Sequence, residues 1–164
     1  QSSLLLEILL PENYNNDLKF TSSSADFEAE IFDINSLKVE SSSGNIGIKE
    51  LYAKDSKIVT SSGEIRIPLF TGNTFITSSS GDVVVGPTEP FNEIKITTSS
   101  GNIEIGPLGG LSLDVKGTTS SGKISYEGSA TSIQNNYDHL FMTLGDGSYQ
   151  MDLTSSSGNI TIFE

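Results

Sequence analysis

Ser99-Ser100-Gly101-Asn102-Ile103-Glu104-Ile105 is the stretch on which the fold turns, because the same pattern returns along the whole chain. Aligned on the residue after the paired serines, it occurs at Ala25, Gly44, Gly63, Gly81, Gly101, Gly122 and Gly158. The intervals are 19, 19, 18, 20, 21 and 36 residues, a period near 20 with one long gap before the last copy. A fixed period in this range marks a stacked repeat architecture.

The columns around the corner carry the chemistry of a strand that is buried on one face. Two residues after the corner stand Phe27, Ile46, Ile65, Val83, Ile103, Ile124 and Ile160. Four after it stand Ala29, Ile48, Ile67, Val85, Ile105, Tyr126 and Ile162. Five and seven before it the columns are again mostly apolar, with lapses at Ser56, Thr74 and Gly117. The residues between are polar or charged, such as Lys38, Lys57 and Lys95, and alternation of this kind signals a half-buried strand. Each unit therefore reads as strand, corner, strand, loop. The expected fold is all-β, a parallel β-solenoid, β-helix-like, of about seven to eight coils.

Two expectations concern the corner itself. The glycine is explained by a backbone that needs positive φ, and Ala25 then marks an irregular first corner. Strand parity puts the residue just before each corner on the inner face. Ser24, Ser43, Ser62, Ser80, Ser100, Ser121 and Ser157 are thus expected to form a buried ladder of hydroxyls bonded to one another or to corner backbone. The less favoured, functional reading is that the outer serines, from Ser23 to Ser156, form an exposed stripe that carries O-linked sugars or meets a polar surface.

Length makes residues 1–164 a single domain. Residues 1–20 read as an apolar N-terminal strand and cap, 21–128 as regular coils, 129–149 as a degenerate coil or an inserted hairpin, and 150–164 as the last coil. The long interval favours the degenerate coil. A chain with 35% hydrophobic residues and no Trp cannot fill a wide core. A thin stack needs only a few apolar columns, and its end coils decide stability and association.

With a net charge of −12 and Arg66 as the sole arginine, nucleic acid is excluded as a partner, and so is electrostatic attraction to anionic membranes. The chain has no cysteine, so disulfides and thiolate metal sites are ruled out. No apolar run is long enough to give a transmembrane segment. Gln1-Ser2-Ser3 lacks a basic leader, as a mature chain or an excised domain would.

The run Leu4-Leu5-Leu6-Glu7-Ile8-Leu9-Leu10 is apolar on both faces and must be covered, by the fold or by another copy through strand addition. The chain finishes in Ile160-Thr161-Ile162-Phe163-Glu164, with nothing to blunt the last edge. Leu4, Leu5, Leu6, Ile8, Leu9 and Leu10 at one end, with Ile160 and Ile162 at the other, are therefore the candidate assembly residues. Chemistry is sparse by comparison. His139 has no recognisable partner, Asp26, Glu64 and Asp82 form a broken row of acids, and Asp146-Gly147-Ser148 is too short for a calcium loop. No catalytic, cofactor-binding or metal-ligating residue is assigned. Asn159 opens a formal N-glycosylation sequon.

At Ser41-Ser42-Ser43-Gly44-Asn45-Ile46-Gly47-Ile48 and its copies, with the closing segment from Leu144-Gly145-Asp146-Gly147 to Ile162, the chain resembles the adhesin-like family of β-strand-repeat domains. The likeness covers about residues 4–164. It implies a β-solenoid in an extracellular or cell-envelope setting, and the family supplies no catalytic residues. The expected function is a non-catalytic extracellular or cell-surface structural protein, adhesin-like, that stacks head to tail into a filament. The alternative is a monomeric cell-envelope domain that binds a ligand or senses stress, with a glycan or another surface ligand as partner. A carbohydrate-active β-helix enzyme comes last.

Overall fold

The computed structural model describes residues 5–164, all of them strand, turn or loop, with no helix among them. The strands are β1 (Asp17–Ser22), β2 (Phe27–Ser41), β3 (Ile46–Thr60), β4 (Ile65–Ser78), β5 (Val83–Pro87), β6 (Glu93–Thr98), β7 (Ile103–Ile105), β8 (Leu113–Thr119), β9 (Ile124–Glu127), β10 (Ser132–Asn136), β11 (His139–Leu144), β12 (Tyr149–Ser155) and β13 (Ile160–Phe163). They form one 13-stranded sheet that wraps on itself in the manner of a β-solenoid. Strands β2, β3 and β4 run round the bend, so each serves as the second strand of one unit and the first strand of the next.

The apolar columns become vertical files. Phe27, Ile46, Ile65, Val83, Ile103, Ile160 and Ile124 are in register through successive parallel pairings. All but Phe27 are buried. Phe20, Val39, Ile58, Ile76, Ile96, Leu153 and Gly117 form the facing file. At Gly117 the missing side chain is made good by Leu140 and Ile124, whose atoms lie 3.6 and 3.4 Å from where a Cβ would be. The core is these inner files and little else, which is why so polar a composition suffices.

The stacking order does not follow the chain. Strand β12 sits between β6 and β8, and β13 between β7 and β9, each bonded in parallel on both sides. The C-terminal unit is thus an inner layer. Ile160 and Ile162 are fully buried, so the expected open edge at the C-terminus does not exist. Residues 129–149 supply the antiparallel hairpin β10–β11 instead of the favoured degenerate coil, and β11 lies antiparallel along the outer edge of β8. Gly145 and Gly147, at φ 58° and 71°, then reverse the chain into the slot between β6 and β8.

The corner glycines have a different cause from the one expected. Positive φ occurs at Gly72, Gly106, Gly110, Gly128, Gly145 and Gly147, and at none of the corners. A Cβ on Gly63 would lie 1.9 Å from the carbonyl oxygen of Gly44, and Gly81, Gly101, Gly158 and Gly122 face the corner before them in the stack in the same way. The Cβ positions point toward the N-terminal end of the stack, and the corner at Ala25 is the first. Ala25 is allowed because no corner lies beneath it.

The serine ladder is likewise shifted. Ser24, Ser43, Ser62, Ser80, Ser100, Ser121 and Ser157 are all exposed, because both serines of each pair lie in the bend, where strand parity lapses. The hydroxyls that point inward stand three residues before the corner: Ser41, Thr60, Ser78, Thr98, Thr119 and Ser155 are buried. Gly44, Gly63, Gly122 and Gly158 donate their N–H groups to Ser41, Thr60, Thr119 and Ser155 at 3.0, 3.2, 3.0 and 2.8 Å. Ser78 Oγ is buried with no partner among the described residues. Ser155→Ala is therefore expected to cost about 1–3 kcal/mol by orphaning the Gly158 N–H. Ser78→Ala should be close to neutral, and urea denaturation of the two variants separates the cases.

Candidate functional site

The surface offers three features that could meet a partner: the two ends of the stack, a groove at one bend and the outer face of the first strands. At the N-terminal end β1 pairs only with β2, and the first half of β2 pairs only with β3. Their outer edges leave backbone N–H and C=O groups without strand partners. Phe20, Phe27 and Phe32 cluster there, with ring centroids 4.6 and 6.1 Å apart. They are only half-buried, and Ile31 beside them is 61% exposed.

Of the candidate assembly residues at this end, Leu4 lies outside the described residues. Residues 5–10 form no strand. Leu5, Leu6, Ile8 and Leu9 are exposed, at 88, 74, 65 and 85%, and Leu10 is half-buried. Leu5 to Ile8 lie along a cleft of about 630 Å³ whose other side includes Glu28, Ala29, Lys49 and Pro68. The run is thus uncovered and apolar. At the opposite end the outermost strands are β10 and β9, each paired on one side only. Every residue of β10 is exposed.

A groove of about 460 Å³ opens where the register slips between Tyr52 and Asp55. The unit above is one residue short at this point, and Gly72 takes φ 84° with its Cβ position 1.7 Å from the Ala53 carbonyl oxygen. No other residue fits this close approach. Tyr52 and Tyr149 flank the groove, with Asp33, Lys54 and Asn92 at its rim. The Phe91 ring lies tilted against that of Tyr149 at a separation of 5.1 Å. The Tyr52 hydroxyl donates to Glu50 at 2.8 Å, which holds its pKa above the usual phenol value.

Several of the residues weighed for chemistry make bonds within the fold. Asp26 and Asp82 accept the N–H groups of Asn45 and Asn102 at 2.8 and 2.7 Å. Asn45 and Asn102 accept in turn from Glu64 and Asn159, both at 2.9 Å. Asp26, Asn45, Asp82 and Asn102 thus link neighbouring corners by side chain to backbone bonds while staying exposed to solvent, and Glu64 pairs instead with Arg66 at 2.6 Å. Asn159 links corners in the same way, with Oδ1 accepting the Lys123 N–H at 2.9 Å. Asp146 accepts from the backbone and hydroxyl of Ser148, which lowers its pKa and closes the turn. His139 Nδ1 lies 2.9 Å from its neighbour Asp138, whose pKa that contact lowers. Among the described residues no three His, Cys, Asp or Glu side chains are grouped as a metal would need. No helix among them is long and apolar enough to cross a membrane.

The outer face of the first strands was missed as a unit. The column Lys19, Lys38, Lys57, Phe75, Lys95, Asp152 and Lys116 is in register from β1 to β8. Phe141 extends it on β11. The lysines were visible as the polar half of the alternation. Their alignment into one row, through the displaced β12, was not.

The model of one protein family covers residues 6–163. The chain belongs to the Toastrack DUF4097 family. Toastrack domains are β-rich, solenoid-like and of unknown function. No curated protein and no solved structure matches the chain.

Proposed function

We propose that this Toastrack chain is a non-catalytic structural module of the extracellular space or cell surface, adhesin-like, whose copies associate end to end into a filament. Its architecture is read as seven to eight coils of about 20 residues, with the hairpin laid along the outer edge of β8. The observation that carries the reading is the presence of unpaired strand edges at both ends of the stack. Those of β1 and β2 are flanked by half-exposed aromatics and by an uncovered apolar run. Joining unlike ends gives a contact that does not close on itself, and such contacts build filaments. The joint differs from the one read in the sequence, since the receiving edges belong to β9 and β10 rather than to Ile160 and Ile162. The likeness to adhesin-like repeat domains supports the surface setting, as does a net charge of −12.

Removing residues 1–10 should leave monomers on a sizing column and in electron micrographs, where the full chain assembles as its concentration rises. Unaltered assembly would take the apolar run out of the joint. A second reading, a monomeric envelope domain that binds a ligand or senses stress, draws on the groove between Tyr52 and Tyr149. It is favoured if the full chain stays monomeric across the same concentrations.

A further inference from the structure

A strand inside a sheet bonds to two neighbours, and one at an edge leaves half of its backbone groups to water or to another chain. Strand β2 changes from the first kind to the second along its length. Ser36 to Ser41 lie between β1 and β3, whereas Phe27 to Ile34 pair with β3 alone. The Phe27 N–H bonds to the Asn45 carbonyl on the β3 side at 2.8 Å. Backbone groups along a strand point alternately to its two sides, so the Glu28 N–H is turned to the open one. The core also ends here without a cover. Phe27, Ala29 and Phe32 are half-buried and Ile31 is exposed, although the terminal layer of a repeat stack needs a cap. At the far end the hairpin β10–β11 covers the edge of β8.

The charge around the open edge says what kind of strand would close it. Residues 5–34 hold seven of the 21 acids and one of the nine basic residues, so half of the net charge of −12 sits at this end of the stack. On the edge and the stretch of β3 behind it, residues 26–34 and 45–54, the acids are Asp26, Glu28, Glu30, Asp33 and Glu50, and the bases are Lys49 and Lys54. Lys49 is taken by Glu30. Asp26 and Glu50 accept hydrogen bonds from the Asn45 N–H and the Tyr52 hydroxyl, which leave their charge in place. Glu28 and Asp33 have no ion-pair partner among the described residues, and Glu7 lines the same cleft as Glu28 and Glu30. Side chains directly opposite on paired strands attract or repel according to charge. A strand laid on this edge therefore fits if its outward residues are cations and its inward residues are apolar enough to cover Phe27, Ala29 and Phe32. A second copy can offer the free edges of β9 and β10, but these strands carry one acid, Glu127, and no base. We propose that the edge from Phe27 to Ile34 takes an extended segment of a partner protein as an added strand, with basic and apolar residues in alternation. The proposal goes beyond the end-to-end reading above, since such a partner would sit where a copy would and cap the stack.

The test is isothermal titration of the full chain, dilute enough to be monomeric on a sizing column, with a peptide of alternating lysine and valine long enough to span Phe27–Ile34. Two control peptides have the same composition: one with the lysines and valines in separate blocks, the other alternating but N-methylated along its backbone, so that it cannot donate to a ladder. Each control should bind at least about tenfold more weakly. Glu28→Gln/Glu30→Gln/Asp33→Asn should weaken binding of the alternating peptide about tenfold, the sum of three exposed ion pairs. Glu89→Gln/Glu93→Gln/Glu104→Gln removes the same charge away from the edge and should stay within about twofold of the unaltered chain. Thermal melts check that both variants fold, and the single variant Glu28→Gln serves if the triple one does not. Equal losses in the two variants, or equal affinity for the alternating peptide and either control, would reduce the contact to unspecific attraction of charge and overturn the proposal. So would binding that appears only once residues 1–10 are removed, which would give the edge to the chain's own apolar run. Filament formation is read without peptide, so either proposal can fail while the other stands.

Discussion

Gly63→Ala should destabilise the protein by about 3–5 kcal/mol, among the largest effects available to a single methyl group. The added Cβ would stand 1.9 Å from the Gly44 carbonyl oxygen and 2.5 Å from its carbon. Both are backbone atoms held in a ladder, so no rotamer change relieves the clash. The corner must open, and with it the hydrogen bonds from Ser62 N–H to the Ser42 carbonyl and from Glu64 N–H to Asn45 Oδ1. The matched change at the first corner, Ala25→Gly, removes a methyl that meets no stacked corner. It should cost no more than about 1 kcal/mol, through the entropy of the unfolded chain. Urea denaturation of the two variants gives the comparison. Near-equal losses would show that backbone contact is not what selects glycine at the corners.

Deleting residues 149–164 should abolish cooperative folding rather than shorten the stack by one layer. In an ordinary repeat array the last unit touches only its neighbour, and its removal leaves the remainder standing. Here β12 and β13 are bonded on both sides, and their loss leaves β6, β7, β8 and β9 each without one partner. Met151, Leu153, Ile160 and Ile162 would leave the core together. At about 1.5–3 kcal/mol for each buried side chain, the loss matches the whole stability of a typical domain. The readout is the thermal transition of the fragment 1–148, followed by circular dichroism. A sharp transition with retained strand signal would contradict the inserted placement of the last unit. The same result bears on folding, since the stack cannot close until the final residues are present.

The file of Ile46, Ile65, Val83 and Ile103 was legible before any coordinates, because burial on one face of a strand imposes a two-residue period that composition cannot hide. The edges were legible only in part. The run from Leu5 to Leu10 read as a strand that the fold or another copy must cover, yet it forms no strand and stands exposed, and Ile160 and Ile162 looked terminal simply because they come last in the chain. The corner hydroxyls were misplaced because parity was carried into a bend, where the backbone no longer alternates. The groove at Gly72 left a trace, the single 18-residue interval, but nothing in that number says where in the unit the residue is missing.

What the sequence determined by itself is the repeating layer: which residues face inward, where the chain bends, and that like stacks on like. What only the tertiary structure decided is the order of the layers. Ile160 fits between Ile103 and Ile124 as well as it would fit beyond Ile124, for the files are chemically uniform and a local pattern carries no record of which neighbour lies above. The choice was made by the β10–β11 hairpin, which occupies the outer edge of β8 and leaves the returning chain the slot between β6 and β8. Long-range pairing of this kind is a property of the closed sheet, so it appears only once the whole chain is in place.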